Sequence, residues 1–199
     1  MRILIVGATG TIGAAVVTAL SEGNQIVPAG RKSSAAPVDL ADSNSIRAMY
    51  RNLGKVDAVV CAAGLAKFAP LAQLSDDDFR FCLDNKLMGQ VNLVRVGFDH
   101  VTDGGSFTLT SGVLAHRPMP GSGAISLVNA GLEGFVRAAA LEAPRGIRVN
   151  IVSPPWVTET LIAYKMDPSQ GLPAAVVARA YARSVTGKET GAVIEPSAA

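Results

Sequence analysis

The chain has 199 residues, 49% of them hydrophobic and 17% charged, enough apolar material for a globular unit with a sizeable core and too much for a disordered chain. Its 18 basic and 16 acidic residues are mixed along the sequence and leave a net charge of +2, which offers no basic stripe to nucleic acid. No apolar run approaches the ~20 residues of a membrane span, and the first residues lack the charged start, apolar core and cleavage site of a secretion signal, so a cytoplasmic protein with no membrane partner and nothing preceding the fold is expected.

The first twenty residues organise the rest. Ile3, Leu4, Ile5 and Val6 form an apolar run without alternation, which predicts a strand covered on both faces in a parallel sheet. Gly7, Gly10 and Gly13 follow at three-residue spacing, and Ile12, Val16, Val17 and Leu20 then fall at helical spacing. Strand, glycine turn and helix together bring backbone close to a pyrophosphate and turn the free N–H groups of the first helical turn toward it. The triplet alone fits an ordinary strand-to-helix turn equally well, so the rest of the chain decides. The residues offered to a dinucleotide here are Gly7, Ala8, Thr9, Gly10, Thr11, Ile12 and Gly13.

Gln25 to Ala29 reads as a second strand, followed by Gly30, Arg31 and Lys32. An acid in this place would accept from the adenosine ribose; a base would meet a 2′-phosphate. Arg31 presents a planar fork of donors suited to phosphate, so the pattern points to NADP(H), with a solvated basic turn as the alternative. Val38 to Leu40 is expected to be a short third strand, and Asp42 or Ser43 to cap a helix that carries Ile46, Met49, Tyr50 and Leu53 and closes at Gly54. Val56 to Ala63 is the fourth strand, ending at Gly64. Ser75 followed by Asp76, Asp77 and Asp78 starts a helix expected to run without a break to about His100. Gly104 to Thr110 is the fifth strand, ending at Ser111 and Gly112. A helix is expected over 123–143, a sixth strand over 147–152, an irregular segment over 153–172, a helix over 173–184 and a last edge strand at 192–194.

Cys61 and Cys82 have neither metal-site spacing nor the look of a disulfide framework; buried thiols and no metal are expected. The alternation of strands and helices, without internal repeat or linker, predicts one doubly wound Rossmann-like α/β domain over residues 1–199, with a mostly parallel sheet of about seven strands.

With these pieces in order, nearly the whole chain resembles the short-chain dehydrogenase/reductase family. Gly7 to Gly13 resembles its glycine motif, although the family's middle glycine falls one position later, on Thr11 here. Asp39 and Leu40 resemble its adenine-contacting pair. Cys61-Ala62-Ala63-Gly64 stands where the family has Asn-Ala-Gly, and Ile147 to Pro154 resembles its sixth-strand signature. The resemblance implies NADP(H) held by the glycine turn, Arg31, Lys32, Asp39, Leu40, Ala62, Ala63, Gly64, Asn129, Pro154 and Val157. It implies Asn85 as the helix asparagine that holds the active-site water and Ser111 as the serine that polarises the substrate oxygen. It also implies a dimer or tetramer through the long helices.

The same resemblance exposes a gap. The family's Tyr-x-x-x-Lys pair, in which tyrosine is the general acid/base and lysine lowers its pKa and holds the ribose, falls on Ile125 and Asn129. Isoleucine cannot move a proton. Asparagine can still hydrogen-bond ribose hydroxyls, but it brings no positive field. His116 is the candidate replacement proton donor, because imidazole titrates near neutrality. Lys86 is expected to point another way around its helix, and Tyr164 with Lys165 lies where a substrate lid would fold. Two functions stay open: an NADP(H)-dependent oxidoreductase acting on a carbonyl or alcohol of a small-molecule substrate, and an NADP(H)-binding sensor or structural dimer without turnover.

Overall fold

The computed structural model describes residues 1–32 and 35–197. Seven strands, all parallel, form one sheet in the order β3-β2-β1-β4-β5-β6-β7. They are β1 (Arg2–Val6), β2 (Gln25–Gly30), β3 (Ala36–Pro37), β4 (Val56–Cys61), β5 (Val101–Thr110), β6 (Arg148–Val152) and β7 (Val193–Ile194). The helices are α1 (Thr11–Leu20), α2 (Ser43–Leu53), α3 (Asp76–Cys82), α4 (Gly89–Gly97), α5 (Gly123–Glu142), α6 (Thr158–Ala163) and α7 (Ala174–Thr186). The fold is the doubly wound α/β class that the sequence predicts.

Strand side chains alternate between the two faces of a sheet, and here both faces are dry. Leu4, Val6, Val59, Cys61, Phe107, Leu109, Val149 and Ile151 point into a core shared with α2, α4 and α5. Ile3, Ile5, Ala58, Val60 and Val152 point the other way, against α1 and α7. Apolar runs without alternation are the sequence signature of such double coverage.

Four expectations are corrected. The third strand is only Ala36–Pro37, because Asp39 turns the chain: its carboxylate accepts from Ala41 N at 3.0 Å and its N–H donates to Ser45 Oγ at 2.9 Å. The long helix after Ser75 is broken, since a π-helical turn over Leu83–Met88 separates α3 from α4, with Gly89 N reaching back to Asp84 O. The segment after β6 contains α6 and is closed by Thr158 N to Leu172 O (2.9 Å) and Leu172 N to Trp156 O (2.9 Å). Finally, α5 is long and apolar enough, by length and composition alone, to cross a membrane, where no such run was expected; its residues Ala124, Val128, Leu132, Val136 and Ala139 pack in the core.

Capping accounts for where helices begin. Asp42 Oδ1 accepts from Asn44 N (2.8 Å) at α2, and Ser75 with Asp78 forms a reciprocal capping box at α3. These bonds hold the Asp78 carboxyl below the usual carboxylate range.

Tyr50 joins α2 to α4, donating its fully buried hydroxyl to Leu93 O at 2.8 Å. Tyr50→Phe removes the donor and leaves Leu93 O with only its place in the α4 ladder, so a loss of about 0.5–1.5 kcal/mol is expected in urea unfolding. An unchanged midpoint would show that the bond carries no stability.

Candidate active site

Two adjoining spaces lie along the carboxyl ends of the strands and share Ala62, Ala63 and Gly64 in their walls. The larger, about 990 Å³, runs over the ends of β1 and β2 past Arg31, Lys32, Asp39 and Leu40. The smaller, about 270 Å³, is a chamber above β5 and β6. Ligands in open α/β sheets bind at such an edge, where the strand order reverses.

The glycine turn forms the floor between them. Gly7 has φ +84°, and Gly10 N donates to Gly7 O at 3.0 Å. A Cβ on Gly13 would stand 1.9 Å from Gly7 O, so no other residue lets α1 sit this close to β1. Val6 to Gly10 face the larger space, whereas Ile12 lines the chamber. Thr11 and Gly13 belong to the first turn of α1, Gly13 buried against the strand.

The chamber is mostly apolar, with Ile12, Leu114, Ile125, Pro154, Trp156 and Val157 in its wall. Trp156 meets Phe68 edge-on, with ring centroids 6.4 Å apart. Into this wall comes Lys86, buried and donating from Nζ to Ser111 O at 3.2 Å. Burial disfavours its charged form and brings the ammonium down to about 8, against a smaller opposing pull from Cys61 and Cys82. Burial pushes the Cys61 thiol up to about 12. The end of β5 beside Lys86 is pinned by Gln90, whose side chain donates to Thr110 O (2.9 Å) and accepts from Thr110 N (2.8 Å).

Asn129, where resemblance places the family's lysine, donates to Gly112 O at 3.3 Å, while its Oδ1 is buried without a partner among the described residues. Ser153 Oγ is buried and unpartnered in the same sense. Buried acceptors are rarely left unpaired, so Asn129 Oδ1 in the chamber wall marks a place for a donor group. Ile125 lines the same wall.

One turn along α5 from Asn129 lies Glu133, whose carboxylate is buried. It accepts from Ser111 Oγ at 2.9 Å, contacts His116 Nε2 closely, and has Arg137 3.7 Å away. The carboxylate stands between serine and histidine, so His116 has no path to the Ser111 hydroxyl and this is no nucleophile-activating relay.

The structure therefore redistributes the expected roles. Ser111 is at the end of β5 as predicted, but its hydroxyl is spent on Glu133. His116, expected to supply a proton, lines neither space and lies half exposed against Glu133. Asn85 donates to Phe81 O (3.1 Å) and faces the larger space, not the chamber. Lys86 takes the inward position instead, because the π turn advances the side chains by about one residue relative to an α-helix. Tyr164 and Lys165 are exposed and line neither space. Pro154 and Val157 line the chamber; Ala62, Ala63 and Gly64 line both spaces. Glu133 was missed, although Ile125, Asn129, Glu133 and Arg137 follow one another at i+4 on α5 and so share a stripe.

Comparison with known proteins adds a family. The model of the family described as Enoyl-(Acyl carrier protein) reductase matches residues 8–195. The protein lin1944 from Listeria innocua is 40% identical, with a TM-score of 0.95 and 98% of each chain covered. A short-chain dehydrogenase from Burkholderia cenocepacia J2315, solved in complex with NADP, superposes with a TM-score of 0.85 at 24% identity, covering 98% of this chain and 95% of that one. Hydroxynaphthalene reductase arp2 from Aspergillus fumigatus is 31% identical over 133 residues, 64% of this chain and 49% of the reductase. The present chain thus spans about half of that relative's length.

Glu133→Ala takes the shared acceptor from Ser111, His116 and Arg137, and is expected to cost about 2–4 kcal/mol in urea unfolding, with Glu133→Gln costing less because it can still accept from Ser111. Equal stability of all three proteins would show that the cluster does not brace the loop after β5.

Proposed function

The chain belongs to the short-chain dehydrogenase/reductase family, and on that premise we propose that it is an NADP(H)-dependent oxidoreductase acting on the carbonyl or alcohol carbon of a small, largely apolar substrate. The observation that carries the reading is the crevice itself. A cationic pair stands at one end and an apolar chamber with an orphaned acceptor at the other, and between them lies a glycine turn whose Gly7 and Gly13 leave no room for a Cβ.

The residues fit a dinucleotide. The Gly7 to Gly10 turn lines the space a pyrophosphate would take, and the first turn of α1 just beyond it carries N–H groups without a helical partner. Arg31 and Lys32 bring positive charge to the end of β2, where a 2′-phosphate would lie. The NADP carried by the Burkholderia cenocepacia relative supports this choice. Asn129 Oδ1 can only accept, so it suits a ribose hydroxyl. When bound, the nicotinamide supplies or takes up a hydride. The chain's own part is to hold the substrate carbon in a chamber walled by Ile125, Leu114 and Trp156, where little water competes and polar groups act strongly.

Arg31→Ala is expected to raise the Kd for NADPH about 10–100-fold, followed by nucleotide fluorescence, while NADH changes by less than about threefold. Equal losses for both would overturn the 2′-phosphate assignment. Tight NADPH binding without consumption across a panel of small aldehydes and ketones would favour the sensor role over the oxidoreductase.

A further inference from the structure

We propose that Lys86 is the catalytic acid of the chamber, delivering a proton from Nζ to the substrate oxygen in place of the tyrosine that Ile125 supplants. This rests on the oxidoreductase reading and assigns a role that the reading leaves vacant.

Three observations converge on it. First, among the described residues whose side chains line the chamber, only Lys86 can carry and lose a proton near neutral pH. Second, the ammonium is not consumed by structure. A lysine has three N–H donors, and among the described residues Nζ spends one of them, on Ser111 O at 3.2 Å. Among the described residues no carboxylate pairs with it; the buried acid nearby, Glu133, is taken by Ser111, His116 and Arg137. A buried ammonium without a counterion is costly, and a packed core would select against it. Third, backbone geometry is spent on aiming it. The π turn at Leu83–Met88 turns residue 86 inward, and Gly64, which carries φ +140°, makes room, since a Cβ there would meet Lys86 Cγ at 3.0 Å.

The step balances without another co-reactant than the reduced nicotinamide dinucleotide. As the carbonyl carbon accepts hydride from it, the C=O π pair moves to oxygen, an O–H bond forms, an Nζ–H bond breaks, and Lys86 is left as the neutral amine. Water then returns the proton. Burial prepares this: with its acidity shifted to about 8, Nζ gives up a proton far more readily than an exposed lysine. Nζ meets the Ser111 carbonyl just past β5, and the titratable groups whose charge acts on it are Cys61 of β4 and Cys82 of α3; both thiols are buried. Carbonyl reduction needs the protonated form, so its rate is expected to hold below pH 8 and fall above it, while alcohol oxidation rises over the same range.

The test uses the full-length protein with NADPH and three probes, 4-nitrobenzaldehyde, 2,3-butanedione and 1-tetralone, comparing wild type with Lys86→Met and Lys86→Arg. Both variants are expected to lose about 10²–10⁴-fold in kcat, to keep NADPH affinity within about threefold, and to lose the alkaline limb near pH 8. Lys86→Met removes a buried charge and should unfold no earlier than wild type. Without cofactor or substrate, the ε-carbon NMR signal of Lys86 in ¹³C-lysine-labelled protein should titrate near 8 and vanish in Lys86→Met. Turnover and pH profile unchanged in both variants, or a Lys86 signal that stays charged to pH 10, overturns the assignment and leaves the oxidoreductase reading standing. A wild type that binds NADPH but reduces none of the probes, or fails to bind it, overturns the reading and the assignment together.

Discussion

One carbonyl oxygen, that of Gly7, sets the architecture of the carboxyl edge. It accepts from Gly10 and lies where any side chain at residue 13 would collide with it. This contact lets α1 descend onto the end of β1, and its closeness fixes the floor of both spaces. Around it, backbone bonds fasten the turn to its neighbours: Gly7 N donates to Ala29 O and Ala62 N to Val6 O, each at 2.9 Å. Main-chain bonds thus tie the ends of β1, β2 and β4 to one another.

The other half of the crevice is built by the opposite strategy. At the ends of β5 and β6 side chains do the fastening: Gln90 grips Thr110 through both of its amide atoms, and Thr110 Oγ1 in turn meets Cys61 O and Tyr181 Oη at 2.5 and 2.6 Å. The shared burial pushes the Tyr181 phenol well above its ordinary range. Within this stiff frame Glu133 anchors Ser111 and the loop bearing His116, while Lys86 and Asn129 in the chamber wall keep polar capacity to spare.

Much of the fold was legible, because a parallel sheet covered on both faces writes itself as short apolar runs, as at Ile3 to Val6 and again at Ala58, Val59 and Val60. The glycine turn and the order of elements were equally plain. What escaped was local. Asp39 diverts the chain by a side-chain bond that no periodicity announces. The π turn adds a residue to a helix whose sequence, from Phe79 to Phe98, reads as uninterrupted, and that one residue exchanges Asn85 for Lys86 at the chamber. Ser111 stands at its expected address, yet the acid that captures its hydroxyl lies 22 residues further on. The stripe of Ile125, Asn129, Glu133 and Arg137 was available to a reading by helical spacing, whereas the partners on that stripe needed the folded chain.

The sheet order has a consequence for how the molecule assembles on the ribosome. β1 sits in the middle of the sheet, flanked by β2 on one side and by β4, made some fifty residues later, on the other. Its second edge stays unpaired until Val56–Cys61 has been made, so β1 acquires both neighbours only when the chain has reached residue 61. That stretch already contains the glycine turn and the cationic end of the crevice, whereas the chamber walls still await the ends of β5 and β6 and the face of α5.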